Sequence, residues 1–369
     1  MKKALINLPG WRTSRRIVVF VSDDWGSIRT PSVESLNHLR DLGVNVDSCH
    51  YMQFDRLESC DDLEQLFGLI EQYKDCQGRT PVLTANCLSA NPDFSRIRSS
   101  DFSTYHAQSI VRTYESTRGA ERAMSLWSEA TQRRVCLPQS HGREHLNVSR
   151  WMSDLQHNDP VARAAFDHGM FGVSAHTTSP RRASYLAAFD GHGDEGDSNH
   201  SQIVSSALSE FHETFGFSSR SFIAPNYVWG SEVEKAAKAH GVDYIQCSTM
   251  QRLPSTGKAK LRRHFQGGRN KLGQRYLVRN VHFEPSSDSS RDWVGEAMRD
   301  IDVAFRLRKP AVISTHRVNF MGGLSAKNRK RGLFSLRNLL GGMLKRWPDL
   351  EFLDAVEAGD AMSNSGYKN

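Results

Sequence analysis

Three short stretches of this chain hold the residue types that metal-assisted hydrolysis needs. Asp23 and Asp24 close an apolar run, IVVFVSDD; His141 and His145 stand four apart in QSHGREHLN; His316 ends another apolar run, AVISTH. Two imidazoles and one carboxylate bind a divalent ion and leave a coordination position open for water, as a catalytic site requires. Two adjacent carboxylates repel one another unless a cation or shared proton compensates. Neighbouring residues on a strand point to opposite sides, so Asp23 and Asp24 should differ in role, one a ligand and the other a base beside it. On a helical turn the four-residue spacing would bring both imidazoles to one face. His316 is a candidate acid for the leaving group. His176, in VSAHTTS, is a weaker candidate, and Asn86 and Asn226 are candidate donors to a substrate.

These residues must be brought together by the elements around them. The chain alternates short apolar or β-branched runs with segments of helical periodicity, the pattern of a parallel α/β fold. Strands are expected at residues 17–24, 81–89, 134–141, 171–179, 221–229, 242–250, 276–285 and 311–320, and helices at 32–43, 60–74, 201–216 and 231–241, three of them closed by glycine. In such folds the C-terminal strand ends open onto one face, where the active site sits. Asp23, Asp24, Asn86, His141, His145, His176, Asn226 and His316 all fall at or just after such ends, so one pocket would contain them.

Length and composition narrow the class. At 369 residues, 38% hydrophobic and 24% charged, the chain suits one large α/β domain and excludes disordered and collagen-like classes. The opening residues lack a cleavable apolar leader, and no window is apolar enough to span a bilayer, so a cytoplasmic protein without membrane contact is expected. Six scattered cysteines, with no CxxC pair, read as reduced thiols. The net charge of +7 concentrates in residues 258–279 and 327–346. The second cluster, KNRKRGLFSLRNLLGGMLKR, has helical spacing and reads as a final helix packed on the domain rather than a nucleic-acid contact.

The order of these motifs resembles the polysaccharide deacetylases, the NodB-homology carbohydrate esterases of the family 4 type, of which this would be a divergent member. The resemblance covers residues 17 to about 320 in five short patches. It implies a single-domain, deformed and incomplete (β/α)7-type barrel over 1–369, with 321–369 as a helical extension packing on it. It also implies that Asp23 is the base, that Asp24, His141 and His145 hold the metal, and that His316 is the general acid. The ion expected is zinc, with iron, cobalt and nickel also compatible with this ligand set. The groove-lining third motif matches Ile223–Tyr227, with Ile223 where the family has an arginine that orients the base; Arg220 and Arg317 are the candidates to take its place. The fourth motif, an Asp-Trp pair, matches Asp292-Trp293.

The reaction implied is removal of acetyl from an N-acetylated or O-acetylated sugar or polysaccharide, with Trp25, Asn86, Pro225, Asn226 and Tyr227 on the substrate side. Trp25, Tyr227 and Trp229 read as loop-mouth aromatics suited to stacking on sugar. Two alternatives keep the barrel. One is a glycoside hydrolase using Glu144, Glu284 or Asp288 as paired carboxylates without metal. The other is a carbohydrate-binding relative without catalysis. The sugar, the metal and the oligomeric state are left open.

Overall fold

A computed structural model describes residues 7–173, 185–191, 193–255 and 260–367, with the side chains of 193–198 excepted. Its framework is one parallel sheet of β1 (Arg16–Trp25), β2 (Leu83–Cys87), β3 (Cys136–Ser140), β4 (Ser221–Phe222), β5 (Tyr244–Cys247), β6 (Arg275–Val278), β7 (Val281–His282), β8 (Ala311–His316) and β9 (Leu350–Phe352). The strands run side by side in the order β6-β5-β4-β3-β2-β1-β8-β7, while β9 pairs with the first residues of β1.

The two edges of this row are consecutive in sequence. β6 bonds to β5 and β7 bonds to β8, and only Arg279 and Asn280 lie between them. Even those two continue the ladders, since Arg279 N donates to Cys247 O at 2.9 Å and Asn280 N to Val312 O at 3.2 Å. One segment, 275–282, therefore leans on β5 with its first half and on β8 with its second. The sheet curls round to meet itself, and with β6 and β7 counted as a single stave the architecture is the expected deformed (β/α)7-type barrel. The deformation is concentrated at β4, a two-residue strand whose pairing with β3 is a single step, Ser140 to Phe222.

β1 is buried from Ile17 to Trp25 because both of its faces are covered, which is why its sequence is continuously apolar rather than alternating. Ile17, Val19 and Val21 pack with Leu277 and Val312 of the closing strands. The other face, with Val18 and Phe20, meets the helix α1 (Cys60–Ile70) through Leu63, Leu66 and Phe67. Period-2 alternation puts Asp23 in the row of Ile17, Val19 and Val21. Asp24 then leaves the strand geometry at φ 74°, and the pairing with β2 slips between Ser22 and Trp25. Glycines at positive φ close the expected helices at Gly43, Gly216 and Gly241.

Three expected strands are corrected. Residues 171–173 form no strand, and the rest of that stretch, with His176, lies outside the described residues. The strand at 221–229 ends at Phe222, because Asn226 and Tyr227 take left-handed backbone in a tight turn. The strand at 311–320 ends at His316, followed by a turn over Arg317–Phe320. The C-terminal region is not helical throughout, since its two helices, Ala326–Arg346 and Ala355–Asn364, flank β9. Among the described residues no helix is long and apolar enough to cross a membrane.

Candidate metal centre and catalytic groups

β1 and the loop after β3 build the candidate metal cluster of Asp24, His141 and His145. Asp24 Oδ1 lies 3.3 Å from His141 Nε2 and 3.5 Å from His145 Nε2, all three residues being buried. Their ligand atoms fall within 4.8 Å of one another, the span a single ion bridges. The histidines are not on a helical turn as their spacing suggested. They sit on an irregular loop that precedes the helix Val148–Gln156, and Gly142, at φ 96°, turns the chain between them.

The donor set fits a cation. His141 Nδ1 lies 3.0 Å from the carbonyl oxygen of Ile223, and donating that proton leaves a lone pair on Nε2 facing the Asp24 carboxylate. Burial, with Arg29 acting in the same direction, outweighs the pull of Asp24 and lowers the pKa of His145 to about 3, so its ring is neutral. Among the described residues its buried Nδ1 has no hydrogen-bond partner. Two imidazole Nε2 atoms aimed at one carboxylate oxygen bring three potential ligand atoms together, an arrangement that suits a divalent ion. Burial alone would raise the pKa of Asp24, but Arg29, His145 and the hydrogen bond to His141 hold it well below the usual carboxylate range.

Asp23 faces the barrel interior, where a polar layer caps the apolar one. Arg279 donates to both of its oxygens, at 2.6 and 2.7 Å, and Asn86 Nδ2 adds a third bond at 2.7 Å. Gln246 from β5 accepts from Arg279 and exchanges bonds with Asn86, while Ser314 from β8 receives Arg279 Nη1 at 3.2 Å. Burial opposes the charge on Asp23, yet Arg279 overrides it and keeps the carboxyl ionised far into the acid range. Arg279 does what the resemblance assigned to an arginine at position 223. Neither expected substitute serves: Arg220 pairs with Asp243 and Asp360 on the surface, and Arg317 is enclosed by Asp55 and Glu58.

His316 closes β8 with its side chain 24% exposed, against 5% for Asp23 and 3% for Asp24, so the group is most open to solvent on its side. Its Nε2 is 3.7 Å from Asp23 Oδ2, while its Nδ1 is in a short contact with Glu284. Burial would lower the histidine's pKa, but Glu284 first, then Asp23 and Asp24, raise it to about 9. Asn319 steadies Glu284 at 2.7 Å, and Tyr51 packs edge-on to the imidazole at 5.3 Å. Glu284, and not Asp292, is the carboxylate beside His316. Asp292 instead caps the helix Trp293–Arg306, and the Trp293 indole donates to Asp288 O.

The substrate-side candidates divide. Trp25 is fully buried, bonded to Ser22 and packed edge-on to Trp127; Trp229 is equally buried, bonded to Glu234. Both are core residues rather than sugar platforms. Asn86 has no exposed surface, and its amide is spent on Asp23 and Gln246. Pro225 is buried beside Gly142. Asn226 is exposed and Tyr227 half-buried on the turn, with the Tyr227 hydroxyl 3.3 Å from Arg279. Of the spare carboxylates, Glu144 is buried against Arg143 and Tyr105, and Asp288 is an exposed turn residue bonded to Ser290.

Sequence reasoning missed Arg279, Glu284 as the partner of His316, and Arg29, whose Nη2 donates to Asp24 Oδ2 at 3.0 Å. A signal for Arg279 was present: a charged residue inside an apolar strand must find a buried counter-charge.

No protein-family model matches the chain. No curated protein matches it. Solved structures do. A polysaccharide deacetylase candidate from Mycobacterium smegmatis aligns over 98% of this chain and 95% of its own, at 10% identity and a TM-score of 0.47. Puue allantoinase aligns over 97% and 94%, at 10% identity and 0.49. A Bacillus anthracis protein described as a CE4 family pseudoenzyme aligns over 94% and 66%, at 8% identity and 0.39. The geometry of the site carries the functional reading that follows.

Proposed function

We propose that the protein is a metal-dependent hydrolase that removes acetyl groups from an N-acetylated or O-acetylated sugar or polysaccharide. One observation carries this reading: two adjacent carboxylates have been given separate surroundings, Asp24 facing two imidazoles and Asp23 in the fork of Arg279, with His316 3.7 Å from Asp23 on the solvent side.

Asp24, His141 and His145 would hold the ion, which supplies an acidified water and polarises the acyl carbonyl. Asp23, its oxygens fixed in direction by Arg279 and Asn86, takes the proton from the attacking water. His316, kept protonated by Glu284, gives its proton to the departing amine or hydroxyl of the sugar and so prevents expulsion of an anion. The two groups lie within reach of one another, His316 Nε2 being 3.7 Å from Asp23 Oδ2. The exposed turn at Asn226 and Tyr227 supplies the adjoining wall.

The test is elemental analysis of the wild type and of a His141→Ala, His145→Ala double variant, together with acetate release from acetylated amino sugars. About one equivalent of metal in the wild type, lost with activity in the variant, is expected for a three-ligand site. Full activity in the presence of a strong chelator would sink the proposal and favour a metal-free glycosidase.

A further inference from the structure

Asp24 has two oxygens, and the structure treats them differently. Oδ1 faces the two histidine Nε2 atoms at 3.3 and 3.5 Å. Oδ2 accepts from Arg29 Nη2 at 3.0 Å. Arg29 is itself only 6% exposed, and its Nε lies 3.5 Å from Asp55 Oδ2. Asp55 is bound in turn by Arg317 at 3.0 Å, and Arg317 by Glu58. Asp24, Arg29, Asp55, Arg317 and Glu58 thus form a buried row of alternating charge that runs from the metal-binding cluster into the protein. Arg29 cannot swing away without leaving Asp55 short of a partner, and a Cβ built on Gly172 would stand only 3.2 Å from its Nη1, so its far side is also confined.

A fixed guanidinium beside a metal ligand does two things. It occupies lone pairs that the carboxylate would otherwise offer to the ion, and it places a positive charge near a divalent cation. Both weaken the grip on the metal. Both also leave the ion poorer in electrons, with coordination positions free for water and an acyl oxygen. We infer that Arg29 is a positioning residue of the metal centre, restricting Asp24 to one donor oxygen and holding the site's metal affinity below what its three ligands alone would give. The inference rests on the reading that Asp24, His141 and His145 bind a metal.

The test is the affinity of apo protein for zinc and for cobalt, measured by competition with a chromophoric chelator, in the wild type, Arg29→Met and Arg29→Lys. Losing an outer partner of a metal ligand ordinarily costs about ten- to a hundredfold in affinity, so the opposite sign expected here is diagnostic. Arg29→Met should bind metal more tightly on that scale while its apo form melts at a lower temperature, and Arg29→Lys, which keeps the charge without the fork, should fall between. Affinity in Arg29→Met that is unchanged or weaker than wild type would overturn the inference and leave Arg29 as a structural prop. Should Arg29→Met not fold, a crystal structure of metal-loaded wild type decides. One Asp24 oxygen on the ion with Arg29 still on the other supports the inference; both oxygens on the ion overturn it. Wild type that takes up no metal at all defeats the functional reading as well, an outcome distinct from metal bound without the expected sign.

Discussion

Arg279 lays its two terminal nitrogens along the two oxygens of Asp23, at 2.6 and 2.7 Å, and both side chains are buried. A bidentate fork fixes the plane of a carboxylate as well as its charge. The same contact makes Asp23 a weak base, so its contribution lies in direction and proximity more than in basicity.

Arg279→Ala should lower kcat about a hundredfold, the scale expected when a reacting group drifts by about an ångström, with KM less affected. It also leaves Asp23 buried without its cation, so the variant should lose about 3–5 kcal/mol of stability in urea unfolding. Arg279→Lys, which keeps a charge but not the fork, should recover stability before it recovers kcat.

His316 makes the alkaline limb of the pH profile. Its pKa is about 9 in the folded protein, above the ordinary histidine value of 6.5. The proton is therefore held through neutrality and lost near 9, and kcat should fall as pH rises through that value. Stability has the same sign: the contribution is complete below 6.5, is lost as pH rises to about 9, and is absent beyond. Glu284→Gln removes the largest raising influence and should move the limb toward neutral pH. A limb that stays in place would detach His316 from proton donation.

Metal should stabilise the fold measurably, because ligands that converge only in the native state bind the ion only there. Zinc at about a hundred times its dissociation constant should add roughly 2.7 kcal/mol, read as a rise in Tm that chelation reverses and that the His141→Ala, His145→Ala variant lacks.

Trp25→Ala should cost about 3–5 kcal/mol, the range for a buried aromatic, and Trp25→Phe less. Trp25→Phe should leave KM for sugar unchanged. A raised KM at unaltered stability would return Trp25 to the substrate side.

The candidate site residues were legible because they fall at or just after the ends of apolar runs, and apolar runs in an α/β chain are strands whose ends share a face. Asp23, Asp24, His141, His145 and His316 meet for that reason. What escaped was the supporting layer. Arg279 lies in the middle of an expected strand, and its partner is 256 residues away, a distance across which spacing carries no information. Glu284 was visible as a spare carboxylate, but its pairing with His316 depends on β7 lying beside β8, a fact of topology. Trp25 misled because an aromatic just after a carboxylate pair looks like a loop residue, whereas a slip in the β1–β2 pairing returns it to the core. The histidine pair converged on a loop instead of a helix because Gly142 supplies the turn.

The segment that joins the two edges of the sheet ties one candidate group to the closure of the barrel. Arg279 occupies the seam, between the half that bonds to β5 and the half that bonds to β8. Asp24, His141 and His145 come from β1 and the loop after β3, on strands that both bond to β2, and owe nothing directly to that seam. Asp23 alone among the candidate groups receives its guide from the segment that seals the ring.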